Sequence, residues 1–133
     1  MENFIKTTFE TLNDRWPGLV YAVDVANEVI ENGGAGYNKN NKWYDTIGDD
    51  FVYQAFKFAS QYKDEDQDLY YNDYACDYNT SNCEFALNGF LKKAIEEKLV
   101  DGFGLQAHID CDNIRQTIAN AKLIKEAGLK CQL

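Results

Sequence analysis

The stretch Tyr21-Ala22-Val23-Asp24-Val25-Ala26-Asn27-Glu28 reads as a largely apolar strand that delivers an Asn-Glu pair at its C-terminal end. A near-continuous apolar run is the mark of a strand in a parallel sheet, buried on both faces. A carboxylate at the mouth of such a sheet is a candidate general acid/base. Outward from this point, helix and strand alternate. Upstream, Phe4, Ile5, Phe9 and Leu12 stand at helical spacing over residues Glu2 to Arg15, and Trp16-Pro17-Gly18 ends that helix. The first strand is expected over Leu19 to Val25. Downstream, Glu31 to Lys42 is Gly- and Asn-rich and reads as a loop, and Phe51, Val52, Ala55, Phe56 and Ala59 predict a helix over Asp49 to Tyr62. Asp68 to Tyr71 is a second strand running into Asn72-Asp73-Tyr74. A helix follows over Cys83 to Lys98, then a strand over Gly102 to Ala107, a helix over Asn113 to Ala127 and a strand opening at Leu129 to Leu133, with Gly128 just past a helix end.

Strict alternation of this kind means right-handed βαβ units around a parallel sheet. An open doubly wound sheet would carry a glycine fingerprint in its first strand-to-helix turn, and here that turn is Ala26-Asn27-Glu28-Val29-Ile30. Gly33-Gly34-Ala35-Gly36 comes too late and lacks the lysine of a phosphate loop. The favoured architecture is therefore a (β/α)8 barrel, of class α/β. A whole barrel takes roughly 250 residues. The 133 residues hold three strands and the opening of a fourth, so a single segment spanning residues 1–133, about half a barrel, is expected.

Composition narrows the partners. Hydrophobic residues make up 45% of the chain, enough to build a core. Thirteen Lys and Arg against 22 Asp and Glu give 13 − 22 = −9, which argues against a nucleic-acid or anionic-membrane partner and suits a neutral ligand such as a sugar. No run approaches the ~20 apolar residues that span a bilayer. The N-terminus Met1-Glu2-Asn3-Phe4-Ile5-Lys6 does not read as a signal peptide. Cys76, Cys83, Cys111 and Cys131 lack zinc spacing, and no cofactor is implied. Cys76 and Cys83 flank a polar loop that a short disulfide would span, with four free thiols the equally weighted alternative.

The polar residues gather where the strands end. Asn27 and Glu28 follow the first strand, Asn72 and Asp73 the second, and Gln106 and His108 the third, which is the rim where barrel enzymes place their chemistry. Strand parity puts Asp24, Ala26 and Glu28 on one face and Gln106 and His108 on one face of theirs, so Asn27 needs a bulge to point inward beside Glu28. The plainer readings are specific too. Glu28 would be a first-turn acid of the next helix, Asp24 a structural buried carboxylate, His108 a satisfied polar residue, and Asp73 and Asp110 loop and cap residues.

These residues resemble a known family. Tyr21 to Glu28 is similar to the Y-x-W-D-V-V-N-E motif of glycoside hydrolase family 10, the retaining endo-β-1,4-xylanases. The likeness continues in order through Trp43-Tyr44-Asp45-Thr46-Ile47-Gly48, Asp50 to Phe56, Leu69-Tyr70-Tyr71-Asn72-Asp73-Tyr74 and Asp101 to His108. It implies the third helix through the seventh strand of a (β/α)8 barrel. It further implies Glu28 as general acid/base, Asn27, Gln106 and His108 as residues lining the same sugar subsite, and Asn72 on the leaving-group side. Val23 and Ala26 stand where the family has Trp and Val. The family's nucleophile is a Glu in a T-E-L-D motif that would follow Gln132-Leu133, and it is not among these residues.

The resemblance thus implies a segment of a secreted, retaining endo-1,4-β-xylanase acting on xylan or xylo-oligosaccharides, inactive without the nucleophile. A complementary barrel half or a second copy would cover its strand edges. The alternative is a non-catalytic β-glycan-binding or assembly fragment. A metal-dependent barrel lyase is disfavoured, because His and carboxylate ligands do not cluster.

Overall fold

The computed structural model describes residues 1–31, 33–108 and 110–133. Helix α1 (Glu2–Arg15) leads to strand β1 (Ala22–Asn27). Helix α2 (Lys42–Ile47) and a 3-10 turn at Gly48–Asp50 introduce α3 (Phe51–Tyr62). Then come β2 (Asp68–Asp73), α4 (Thr80–Phe85), α5 (Lys92–Glu96), β3 (Gly102–Leu105), α6 (Ile114–Glu126) and β4 (Lys130–Gln132). The strands form one parallel sheet in the order β1-β2-β3-β4. With its helices it is part of a (β/α)8 barrel, the class expected from the alternation.

Several boundaries differ from the sequence reading. β1 starts at Ala22 rather than Leu19, because Leu19 is still turning back on Trp16 (N to O, 3.1 Å) and the sheet is first met where Asp68 N donates to Tyr21 O at 2.8 Å. Within the expected loop of residues 31–42, position 32 lies outside the described residues. Around it Asn38 N donates to Val29 O (2.8 Å), and Ile30 bridges Tyr37. Its end is capped by Asn41, whose side chain accepts from Trp43 N and starts α2, a helix the periodicity did not reveal. β3 stops at Leu105 and β4 at Gln132.

The helix expected over Cys83 to Lys98 is broken. Over Ala86–Phe90 the chain widens into a π turn, Leu91 N reaching back to Ala86 O at 3.0 Å, and Gly89 leaves helical backbone altogether (φ −102, ψ −108).

The core lies between one face of the sheet and the helices. Leu69 and Tyr71 of β2 and Phe103 and Leu105 of β3 are buried there against Val52, Phe56, Leu91 and Ile124. Tyr71 packs edge-on to Phe103 (4.8 Å, 86°) and Phe90 (5.2 Å, 73°), contacts worth about 0.5–1.5 kcal/mol each beyond area burial. Tyr37 joins Tyr44, Phe51, Phe85 and Phe90, fastening the loop after β1 to this core. The opposite face carries Asp24, Tyr70 and Asn72. There the Tyr70 ring lies over Gly102, leaving no room for a Cβ.

Among the described residues both outer strands pair on one side only, leaving open edges. Beside β1 a cavity of about 230 Å³ is lined by Phe4, Ile5, Val25, Trp43 and Phe51. Beside β4 an apolar hollow of about 300 Å³ is lined by Ile114, Ile118, Ala121 and Leu133. Among the described residues no helix is long and apolar enough to cross a membrane.

Candidate active site

The site begins with a counting irregularity in β1. Asp24 pairs with Tyr70 of β2, but Ala26 pairs with the very next residue, Tyr71, so Val25 is an extra residue bulged out of the ladder. Past the bulge, Ala26 falls in line with core-facing Tyr71, and Asn27 with Asn72 on the open face. The bulge that Asn27 needed is therefore present, and the expectation that Asp24, Ala26 and Glu28 share one face is overturned by it. Asn72 Nδ2 donates to Asn27 Oδ1 at 2.7 Å. Gly104, opposite Asn72 on β3, makes this arrangement possible, since a Cβ there would stand 2.6 Å from Asn72 Oδ1.

Glu28 follows with left-handed backbone (φ 52), a conformation that costs a residue with a Cβ about 1–2 kcal/mol. Its N–H donates to Asn72 O at 3.0 Å, and its Oε1 accepts from Gln106 Nε2 at 2.9 Å. Three adjacent strand ends thus meet: Asn27 and Glu28 from β1, Asn72 from β2, Gln106 from β3. No helix starts at Glu28, since the next begins at Lys42, so the first-turn reading of this glutamate does not hold.

His108 is placed differently. Ala107 is left-handed (φ 56), which ends the extended run, so Gln106 and His108 do not alternate along one strand face as parity suggested. The His108 main-chain N–H donates to Asp77 Oδ2 at 2.8 Å, and its exposed imidazole makes no hydrogen bond to Glu28 or Gln106 among the described residues.

Of the other carboxylates, Asp24 is exposed on the open face rather than buried, with its carboxyl pushed up by desolvation against the sheet. Asp110 is a turn residue, its Oδ1 accepting from Asp112 N and Asn113 N. Asp73 is no mere loop residue. It is fully buried, Oδ2 accepting from Ile30 N (3.2 Å) and the Tyr71 hydroxyl, and Oδ1 from Ala75 N (2.7 Å). Burial pushes the Asp73 carboxyl up, with a further contribution from the Glu28 charge, while its hydrogen bonds pull the other way. Parity held the signal for it, because Leu69, Tyr71 and Asp73 alternate onto the core face. Asp77, also fully buried, had no such signal.

The cysteines are free. Burial pushes the Cys83 thiol up to about 12 and Cys76 higher still, so neither is a ready nucleophile. Among the described residues no three His, Cys, Asp or Glu side chains gather to hold a metal ion. At these strand ends the arrangement leaves Glu28 accessible, its carboxylate oriented by an amide and flanked by an amide pair. That set suits proton transfer to an oxygen of a neutral polyhydroxylated ligand.

The chain as a whole is similar to known proteins. The family model for Glycosyl hydrolase family 10 matches residues 1–133. An endo-1,4-beta-xylanase B of Butyrivibrio fibrisolvens is 34% identical over 85% of the chain and 17% of its own length. An endo-1,4-beta-xylanase A of Halalkalibacterium halodurans is 34% identical over 100% of the chain and 32% of its own length. A crystal structure of an intracellular xylanase of Thermoanaerobacterium saccharolyticum, a mutant in complex with xylotriose, superposes with a TM-score of 0.84 at 25% identity, covering 99% of the chain and 41% of that structure. The chain spans less than half the length of each.

Proposed function

The chain belongs to glycosyl hydrolase family 10, and on that premise we propose that it is the part of an endo-1,4-β-xylanase catalytic domain that carries the general acid/base. The substrate class follows from relatives named endo-1,4-beta-xylanases and from related structures in complex with xylotriose and xylohexaose. The observation that supports the reading best is the Gln106–Glu28 hydrogen bond, which joins residues 78 apart in sequence beside the Asn27–Asn72 pair.

In a retaining mechanism two carboxyl groups stand about 5–5.5 Å apart. One attacks the anomeric carbon. Glu28 protonates the departing glycosidic oxygen, then takes a proton from the water that releases the glycosyl-enzyme ester. Gln106 Nε2 orients the Glu28 carboxyl for both proton transfers. Asn27 and Asn72 bind sugar hydroxyls beside the scissile bond, and His108 lines the same subsite. Asp73 is closed inside its three donors and does not serve as the attacking carboxylate.

The attacking group comes from another part of the barrel, so these 133 residues alone are expected to give no turnover. Mixing the chain with a barrel segment that bears a nucleophilic Glu should yield xylo-oligosaccharide hydrolysis that Glu28→Gln abolishes. Hydrolysis by the chain alone, or full activity of the Glu28→Gln mixture, would sink the assignment. A second reading has its own support, since no other exposed carboxylate contacts Glu28 among the described residues: a non-catalytic β-glycan-binding or assembly fragment. It predicts xylotriose binding without turnover in every mixture. Action on polymeric xylan would put the parent enzyme outside the cell, whereas action on xylo-oligosaccharides would not require it.

A further inference from the structure

The end of β2 and the loop after it hold two fully buried carboxylates, Asp73 and Asp77, and each reaches sideways to the main chain after a neighbouring strand. Asp73 Oδ2 accepts from Ile30 N, 43 residues back, and Asp77 Oδ2 accepts from His108 N, 31 residues ahead. β2 lies between β1 and β3, so its C-terminal end can reach the ends of both strands that carry Glu28 and Gln106. What the two carboxylates hold has a shared property. Ile30 stands two residues after Glu28, and His108 directly after Ala107, and both Glu28 and Ala107 are left-handed without being glycine. Backbone of that kind persists only where its surroundings fix it.

Stability alone does not explain Asp77. Its Oδ1 is buried with no hydrogen-bond partner among the described residues. An apolar side chain of similar size would avoid the cost of burying that oxygen. We propose that Asp73 and Asp77 are positioning residues, a two-sided clamp that fixes the backbone carrying Glu28 on one side and His108 on the other. Neither touches the sugar. Each acts through a main-chain amide, and the inference that this matters for glycan binding rests on the function proposed above.

The test is residue-resolved NMR on the full 133-residue chain by relaxation-optimised methods that tolerate self-association, with xylotriose as the probe. A carboxylate acceptor moves an amide proton downfield. In Asp77→Ala the His108 amide should therefore shift upfield, and xylotriose affinity should fall about tenfold, the scale of one lost hydrogen bond. Asp77→Asn retains an oxygen acceptor and should recover most of the affinity with a His108 shift between the two. Asp73→Asn should move the Ile30 amide in the same manner. A folded Asp77→Ala with unchanged His108 shift and unchanged affinity overturns the proposal. If Asp77→Ala does not fold, a His108 amide unmoved in Asp77→Asn overturns it equally. A wild-type chain that shows no xylotriose response, while the variant amides shift as expected, retires the glycan reading and leaves the clamp standing.

Discussion

Gly104 and Asp73 show how single residues set the geometry around Glu28. Gly104 matters for the room it leaves Asn72, so Gly104→Ala should force that amide aside and break its 2.7 Å bond to Asn27. The expected destabilisation is about 1–3 kcal/mol, as for other overpacked sites, read from urea midpoints. Asp73 makes a pH prediction. Its folded carboxyl lies above the ordinary aspartate value of 3.8, chiefly through burial, so the folded chain holds that proton more tightly than the unfolded one. The corresponding stability is fully present below 3.8 and is lost as pH rises through the raised value. Asp73→Asn should remove this component, so the difference in unfolding free energy between wild type and variant should vary with pH across that window. A difference constant across it would contradict the burial account. At this scale Asn27, Glu28, Asn72 and Gln106 were legible, because strand-end position follows from local periodicity. The Asp77–His108 contact was not, since it depends on how two loops 31 residues apart come together.

Two of the helices end in the same motif with different residues at the turning point. After α5, Lys98 N bonds Ile95 O and Leu99 N bonds Ala94 O; after α6, Gly128 N bonds Lys125 O and Leu129 N bonds Ile124 O. Both turning residues are left-handed, Lys98 at φ 57 and Gly128 at φ 85. Glycine occupies that backbone without a Cβ penalty. Lys98→Gly should therefore raise stability by up to about 1 kcal/mol, and Gly128→Ala should lower it by about the same amount, measured by denaturant unfolding. Shifts of like sign would show that something other than φ decides these positions. Long elements with a clear apolar period, α1, α3 and α6, were legible within a residue or two. The six residues of α2 were not, because a helix that short shows less than two turns of period and depends on the Asn41 cap. Nor was the π turn before α5, where the apolar spacing runs on through a glycine that breaks the backbone.

Among the described residues the molecule is built on a four-stranded parallel sheet whose outer strands, β1 and β4, each pair on one side alone. Apolar side chains stand out at both ends, Phe4 at 69% exposure near one and Leu133 at 72% near the other. Open edges beside apolar hollows favour association with a further sheet, whether a complementary barrel half or a second copy. Against this stands a net charge of −9, which repels like copies and is screened by salt. The 133-residue chain should therefore sediment faster than a monomer, and more so as salt rises. A monomer at every salt concentration would show that the edges are inert. The barrel was legible at this scale because alternation constrains topology so strongly. Which surface covers an edge was not, because an edge strand's own residues do not name the strand that pairs with it.

The bulge at Val25 decides which face Asn27 meets. Most substitutions at that position would leave the pairing of Asn27 with Asn72 in place. Deleting Val25 would restore an unbroken ladder with Ala26 still opposite Tyr71 and Asn27 still opposite Asn72, so both would keep their faces. Pressing Val25 flat into the ladder would instead turn every residue beyond it half a rotation about the strand, driving Asn27 into the helices and carrying Glu28 off its line to Gln106. In evolutionary terms, this short stretch should accept changes of letter, and even the loss of Val25, more readily than anything that straightens the bulge with Val25 still in it.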